Sequence, residues 1–308
     1  MKKVLLITNP RAPLWLETGG SIAVGLLEFA KAVTKEGSLE MMVTSMDRLE
    51  FFVSTGKVTI WDTYNNCDLS GFDFVHLRNV DKSVNLLDYA RAITAYVHYH
   101  GHKMVEEADK GLAIGKLSQM VLFALNDLPV PKTVASWHGK ALEELTLNNV
   151  SFPIVVKANN AMKGGDNHLV TSPEELRNVL ENNPGQQYVV QECIPNDGDY
   201  RVLFGGYSHE PLVFKRLRIE GSHLSNTSKG AEPVRHSANE LGEGYTIALQ
   251  AAKTVGREFT GVDIMQNQVT RQWVLLEANA NPALSMGAFL DEKTHLYSRM
   301  INEQGESA

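Results

Sequence analysis

Near the end of the chain, Gly261-Val262-Asp263-Ile264-Met265 and Val274-Leu275-Leu276-Glu277-Ala278-Asn279-Ala280-Asn281-Pro282 form two apolar, strand-like runs that carry an Asp, a Glu and an Asn. Glu277 and Asn279 are two positions apart, so on a strand they share a face. Asp263 falls inside the other run. Three hard oxygen donors converging beside an anionic substrate suit Mg²⁺ chemistry on phosphates. The plain alternative is an antiparallel pair that turns its polar residues to solvent, and the rest of the chain argues against it.

Lys157 directly follows Ile154-Val155-Val156, and an ammonium in such a place is expensive to bury unless it meets an anion. The loop after it contains Lys163, Gly164 and Gly165. Small residues let backbone N–H groups approach phosphate oxygens, and the lysines would neutralise them. Taken alone, that loop reads first as a β-turn between strands. Further on, the apolar run Val189-Val190-Gln191-Glu192-Cys193-Ile194 breaks at Pro195. A strand that breaks exposes main-chain donors and acceptors of the kind that pair with an adenine edge. Asp199 and Arg201 are again two apart and share a strand face, a surface ion pair being the alternative. Lys215-Arg216 and Ser225-Asn226-Thr227-Ser228-Lys229-Gly230 add more polar and basic groups, and Arg suits two-pronged recognition of carboxylate or phosphate.

These basic residues cluster in a chain of 308 residues whose net charge is −7. With no block of basic residues, a dedicated nucleic-acid surface is not expected. Hydrophobic content of 43% and charged content of 21% describe an ordinary globular chain, long enough for two or three subdomains. Its two cysteines, Cys67 and Cys193, lie in unrelated contexts, which fits a reducing, cytoplasmic setting. The apolar run after Met1-Lys2-Lys3 is too short for a signal-peptide core, and no segment has the ~18 apolar residues of a membrane helix.

The elements that must position these residues alternate at first. Strands are expected at 3–8, 39–45, 73–79 and 102–107, with helices at 21–35 and 84–100 and a small hairpin through Ser54-Thr55-Gly56. That rhythm implies a parallel sheet wound on both faces. The pattern changes near 108–112. Helices at 112–127 and 139–147 then flank a short strand at 132–134, and strands follow at 152–157 and 167–171. Pro173 opens a helix with Ser172 as its N-cap. Strands at 188–194, 200–205 and 211–219, a helix at 243–258, the two acidic strands and a helix at 286–303 complete the chain.

In this order, the motifs resemble the ATP-grasp superfamily, and within it the glutathione-synthetase-like and RimK-like carboxylate–amine ligases. The resemblance covers about residues 110–290. It implies an α/β and α+β chain: a pre-ATP-grasp parallel-sheet domain over 1–110, a central lid subdomain over 111–186, and a C-terminal subdomain over 187–308 that carries the metal ligands. Lys116 and Lys157 match the lysines that contact ATP phosphates, with Lys163, Gly164 and Gly165 in the loop that closes over them. Gln191, Glu192, Cys193 and Ile194 match the adenine hinge, and Asp197 or Asp199 would meet the ribose. Arg201 and Arg216 match arginines facing the transferred phosphate and the acceptor carboxylate, and Asn226 the residue that steadies the intermediate. Asp263, Glu277 and Asn279 match ligands of two Mg²⁺ ions, for which Mn²⁺ could substitute. Two departures are Asp166 in the phosphate loop and Ala158 in place of a frequent proline.

The implied activity is ATP-dependent amide formation through an acyl phosphate, with release of ADP and phosphate. The substrates would be a carboxylate and an amine, as small molecules or peptides, and a homo-oligomer is compatible with the reading. An amino acid or peptide end is the expected partner, with Arg11 and Arg78 as candidate contacts. The rivals are joining of side chains within a ribosomal peptide, a phosphotransferase on the same fold, and a nucleotide-binding module without turnover.

Overall fold

The computed structural model describes residues 1–9, 21–78, 84–105, 115–159, 167–217, 233–280, 282–284 and 287–304. Lys163, Gly164, Gly165, Asp166, Asn226 and Arg11 lie outside these residues.

The first part runs β1 (Lys2–Thr8), α1 (Ser21–Lys35), β2 (Leu39–Ser45), β3 (Leu49–Ser54), β4 (Lys57–Asp62), β5 (Cys67–Asp68), β6 (Phe74–Leu77), α2 (Val84–Tyr99) and β7 (Lys103–Val105). β1, β2, β6 and β7 form a parallel sheet in the order β2-β1-β6-β7, as the alternating rhythm predicts. β1 is buried on both sides. Val4 and Leu6 join a core with α1, while Leu5 and Ile7 join one with α2 and the antiparallel β3-β4-β5 sheet.

The middle part runs α3 (Lys116–Ala124), β8 (Thr133–Ala135), α4 (Gly139–Asn149), β9 (Ile154–Ala158), β10 (Asn167–Val170), α5 (Pro173–Asn182) and β11 (Tyr188–Glu192). Its antiparallel sheet has the order β10-β9-β11-β8. Ile154, Val156, Ala158 and Val190 bury one face of it with Leu142 and Leu176, and the other face is left for Lys157 and Gln191. The Ser172 hydroxyl accepts the Glu175 N–H, so the expected cap is present. Because β11 pairs with β9 and β8, sheet membership carries this unit through Glu192, past the 186/187 boundary that the sequence suggests.

The last part runs β12 (Gly198–Gly205), β13 (Leu212–Leu217), β14 (Pro233–His236), α6 (Ala238–Leu241), α7 (Glu243–Thr254), β15 (Phe259–Gln266), β16 (Trp273–Asn279) and α8 (Leu290–Gln304). Five strands order as β14-β13-β12-β15-β16. Neither β14 nor α6 was expected, since four residues are too few to show a period. The Ser237–Glu240 capping box was the available signal for α6.

Both faces of this sheet are covered, and the coverage is what leaves room for a site. Val202, Phe204, Val213, Val262, Ile264, Leu275 and Ala278 pack against α7 and α3. On the opposite face, Leu203, Leu212, Phe214 and Phe259 pack under α8, in a core shared with β1 and α1. That apolar half stops where Asp199, Arg201, Arg216 and Asp263 begin along the same strands. At Gly205 the helix comes so close that an added Cβ would lie 2.9 Å from the Leu296 carbonyl oxygen.

Candidate active site

Strand register builds the site. Asp199 sits opposite Arg216 across β12 and β13, Arg201 opposite Asp263 across β12 and β15, and Asp263 opposite Glu277 across β15 and β16. Directly opposite residues have their side chains on one face within contact distance. A bulge completes the arrangement. Asp263 pairs with Glu277 and Ile264 with Leu275, so Leu276 has no opposite number. Without the extra residue, Leu275 and Glu277 would face the same way. With it, Leu275 enters the apolar core and Glu277 stays in the polar half.

The Arg201 Nε and Nη2 groups donate to Asp263 Oδ1 and Oδ2 at 2.7 and 2.6 Å. Arg216 Nη2 lies 2.9 Å from the same Oδ2, and its Nε donates to Asp199 Oδ1 at 2.5 Å. Both arginines and both aspartates are thus tied into one buried lattice of charge-assisted bonds. Burial alone would raise the Asp263 carboxyl, but the two guanidiniums hold it at about 2. Burial raises Asp199 to about 6 against the pull of Arg216, and the charge of Asp263 adds to the rise.

Asn279 donates its amide to Gly261 O at 3.2 Å and to Asp263 Oδ2 at 3.3 Å, which leaves its own side-chain oxygen as an acceptor. Glu277 is half-buried and makes no hydrogen bond or ion pair with a described residue. An acceptor-only carboxylate in such a place, beside an amide oxygen and the lone pairs left on Asp263, is a donor set that a hard divalent cation fits.

Two lysines face these groups from the middle part. Lys157 on β9 and Lys116 at the start of α3 both have their ammonium pKa lowered by burial, and both are drawn back up by Glu277. Lys157 also feels Lys116, Asp199 and Asp263. Two lysines gathered at one carboxylate, both lowered by burial, are groups that a polyanion would suit.

α3 also carries a residue that sequence reasoning missed. Gln119 accepts the Ala278 N–H at 2.8 Å and donates to the Ala278 carbonyl at 3.1 Å, fixing the residue between Glu277 and Asn279. Arg257, buried in the turn after α7, donates to the same carbonyl at 2.8 Å. Gln119 lies three residues after Lys116, on the same helix face, and that spacing was its signal. Lys293 on α8 was also missed. It is 4% exposed, and burial with the nearby Arg201 charge lowers its pKa to about 8.

The hinge side chains have structural partners of their own. The Gln191 amide donates to Thr133 Oγ1 at 3.1 Å, and Glu192 Oε1 accepts the Lys132 N–H at 2.8 Å. The Cys193 N–H is taken by Pro153 O at 3.3 Å. These contacts tie the strands together, and the next main-chain donor, the Ile194 N–H, has no acceptor among the described residues. Asp199 is remote in role from the hinge, sequestered by Arg216. Asp197 is the exposed one, paired with Lys215 at 2.7 Å.

The sequence profile of the RimK-like ATP-grasp domain matches residues 113–303. The chain belongs to the RimK-like ATP-grasp family. Among curated relatives, it is 27% identical over 266 residues to a probable alpha-L-glutamate ligase of Thioalkalivibrio sulfidiphilus, covering 84% of this chain and 83% of that one. It is 25% identical to the protein of the same name from Haemophilus influenzae, over 56% of each chain. Among solved structures, the ATP-grasp ligase PsnB in complex with a precursor peptide and AMPPNP superposes with a TM-score of 0.67 at 14% identity, over 98% of both chains. The macrocyclase MdnC of Microcystis aeruginosa, bound to its precursor peptide, superposes with a TM-score of 0.66 at 14% identity, over 97% and 99%. PsnB has also been solved with Mg and ADP. Fold, family and relatives agree on the ATP-grasp ligase class expected from the sequence. Among the described residues, no helix is long and apolar enough to cross a membrane.

Proposed function

We propose that this ligase joins an amine, offered by an amino acid or a peptide end, to a carboxylate through an acyl phosphate. The observation that supports the reading is the meeting of Lys116 and Lys157 at Glu277, beside the Asp263–Arg201–Arg216 lattice. Lys116 and Lys157 would hold the ATP phosphates, joined by Lys163, Gly164 and Gly165 of the loop. The Ile194 N–H at the end of β11 would meet the adenine edge. Asp197 is better placed than Asp199 for the ribose, because its carboxylate is exposed.

Glu277, the Asn279 oxygen and Asp263 would hold Mg²⁺, two ions in the fullest arrangement, and the metal would neutralise phosphate charge. Arg201 and Arg216, fixed by their aspartates, would present N–H groups to the transferring phosphoryl and the carboxylate, with Asn226 steadying what forms. The chemistry balances without a protein nucleophile. A carboxylate oxygen attacks the γ-phosphorus and ADP leaves. The amine then attacks the acyl carbon, phosphate departs with that oxygen, and the nitrogen loses a proton. The protein's contribution is position and fixed charge. Three subdomains, with the middle one extended through Glu192, would frame the cleft. The relatives' names make L-glutamate the first amine to try.

The test is a screen of ADP release over amino-acid pairs and short peptides, followed by trapping. With carboxylate and ATP but no amine, hydroxylamine should yield a hydroxamate. With the amine present, ¹⁸O from the carboxylate should appear in phosphate. A stable phosphorylated product without label transfer would mean a phosphotransferase, and nucleotide binding without ADP release would mean a binding module.

A further inference from the structure

The parallel sheet has its own topological switch point. Its order, β2-β1-β6-β7, reverses direction between β1 and β6, and in open α/β sheets ligands settle beyond the carboxyl ends of the strands at such a point. β1 ends at Thr8, and β6 is followed by Arg78, whose N–H donates to Ile7 O at 2.8 Å and so extends the ladder. Val4, Leu6 and Phe74 face the core under α8, and alternation puts Thr8, His76 and Arg78 on that same face.

These are costly residues to bury. Thr8 is 1% exposed, His76 0% and Arg78 5%. Thr8 Oγ1 and His76 Nε2 have no hydrogen-bond partner among the described residues, which forfeits free energy unless a ligand or a water supplies one. His76 Nδ1 lies 3.0 Å from the Tyr297 hydroxyl, and the two rings stack at 5.6 Å. Burial keeps Tyr297 protonated and, helped by the Arg78 charge, keeps His76 neutral. The phenol has no other acceptor among the described residues, so its donation to Nδ1 satisfies both groups and leaves the ring hydrogen on Nε2. A hydroxyl, a ring N–H and a guanidinium make a set of donors, and such a set reads an anion.

This end of the sheet abuts the reacting centre. Arg78 Nη2 donates to Pro282 O at 2.9 Å. Pro282 in turn lies over Gly261, where an added Cβ would meet the proline at 3.2 Å and Arg201 Cδ at 3.3 Å. A group held by Arg78 is thus separated from the Arg201–Asp263 pair by one proline. The carboxylate to be activated must lie with the phosphate at Arg201, so the anion at Arg78 is one that does not react.

We propose that Thr8, His76 and Arg78 form a subsite for the non-reacting α-carboxylate of the amine substrate, an amino acid or peptide. The inference rests on the ligase reading above and names how that reaction selects its amine. It makes a decarboxylated amine a poor substrate beside its parent amino acid.

Thr8→Val is the cleanest variant, since it removes an unpartnered hydroxyl and nothing else. Arg78→Lys keeps the charge and loses the fork. L-glutamate and 4-aminobutyrate, which lacks the α-carboxylate, form the first probe pair, followed by other amino acids and their decarboxylated counterparts. Each is titrated calorimetrically into the full chain with AMPPNP and Mg²⁺, and assayed by ADP release. The expected result is selection of the amino acid, loss of roughly tenfold or more in its affinity in both variants, and unchanged AMPPNP affinity and melting temperature in Thr8→Val. Equal acceptance of the decarboxylated amine, wild-type affinity in both variants, or no amino-acid binding at all would overturn the subsite. Binding that depends on Thr8 and Arg78 without any amide product would leave the subsite standing and remove the ligase reading instead.

Discussion

Arg201 grips both carboxylate oxygens of Asp263, at 2.7 and 2.6 Å, while Arg216 reaches the second of them and also holds Asp199. The two arginines are therefore unequal. Arg216→Met strands a buried aspartate and should cost about 3–5 kcal/mol. Arg201→Met leaves Asp263 with Arg216 and should cost less, although both variants lose ADP release. Urea denaturation checks the order, and equal stabilities would count against the bridging role.

Glu277→Ala and Asn279→Ala should keep the fold, because the strand is held at Ala278 by Gln119 and Arg257. Turnover should fall by orders of magnitude, and the Mg²⁺ concentration for half-maximal rate should rise. Near-normal ADP formation by both variants at limiting Mg²⁺ removes them from the metal site.

Lys157→Met exchanges a desolvated ammonium for an apolar chain of similar length. Affinity for AMPPNP should drop roughly tenfold or more, as expected for a charge-assisted contact. Stability should hold or rise, because the half-buried cation is itself a burden. A variant that unfolds while binding nucleotide normally would reverse this account.

Gly261→Ala places a methyl 3.2 Å from Pro282 and 3.3 Å from Arg201 Cδ. Overpacking of this kind costs about 1–3 kcal/mol. The movement that relieves it displaces the grip on Asp263, so turnover should fall much further than stability. Paired denaturation and ADP-release measurements separate the two.

Lys293 gives a pH signature in stability. Its folded pKa is about 8 against the ordinary 10.5, so between those values the unfolded chain holds the proton more tightly. The folded state should gain on Lys293→Met as pH rises through that window, by at most about 1.4 kcal/mol per pH unit. Below pH 8 the difference between the two proteins should be flat. A difference that is constant from pH 7 to 10.5 rules out the lowered pKa.

Much of this was legible in residue order. The period-two placement of Asp199 with Arg201 and of Glu277 with Asn279 was enough to put each pair on one face, and Ile-Val-Val before Lys157 announced a desolvated cation. What the pattern could not show was partnership across strands. Asp199 pairs with Arg216 instead of its neighbour Arg201, because register sets the opposite residue. The bulge at Leu276 was equally hidden: Val-Leu-Leu-Glu reads as plain alternation, and only pairing with β15 reveals the extra residue. Gln191 and Glu192 were read for a ligand, and their side chains also brace the strand ends, a use that depends on where Thr133 and Lys132 lie in space.

β16 is the outermost strand of its sheet, and its free side is already occupied. The Gln119 amide answers both main-chain groups of Ala278, as a neighbouring strand would, and the Pro129 carbonyl takes the Leu275 N–H at 2.7 Å. An extended peptide commonly docks by adding itself to an open sheet edge. Here that mode is closed at the strand nearest the reacting groups. Neither an extended peptide nor a second copy of the chain finds a ladder to continue at this edge.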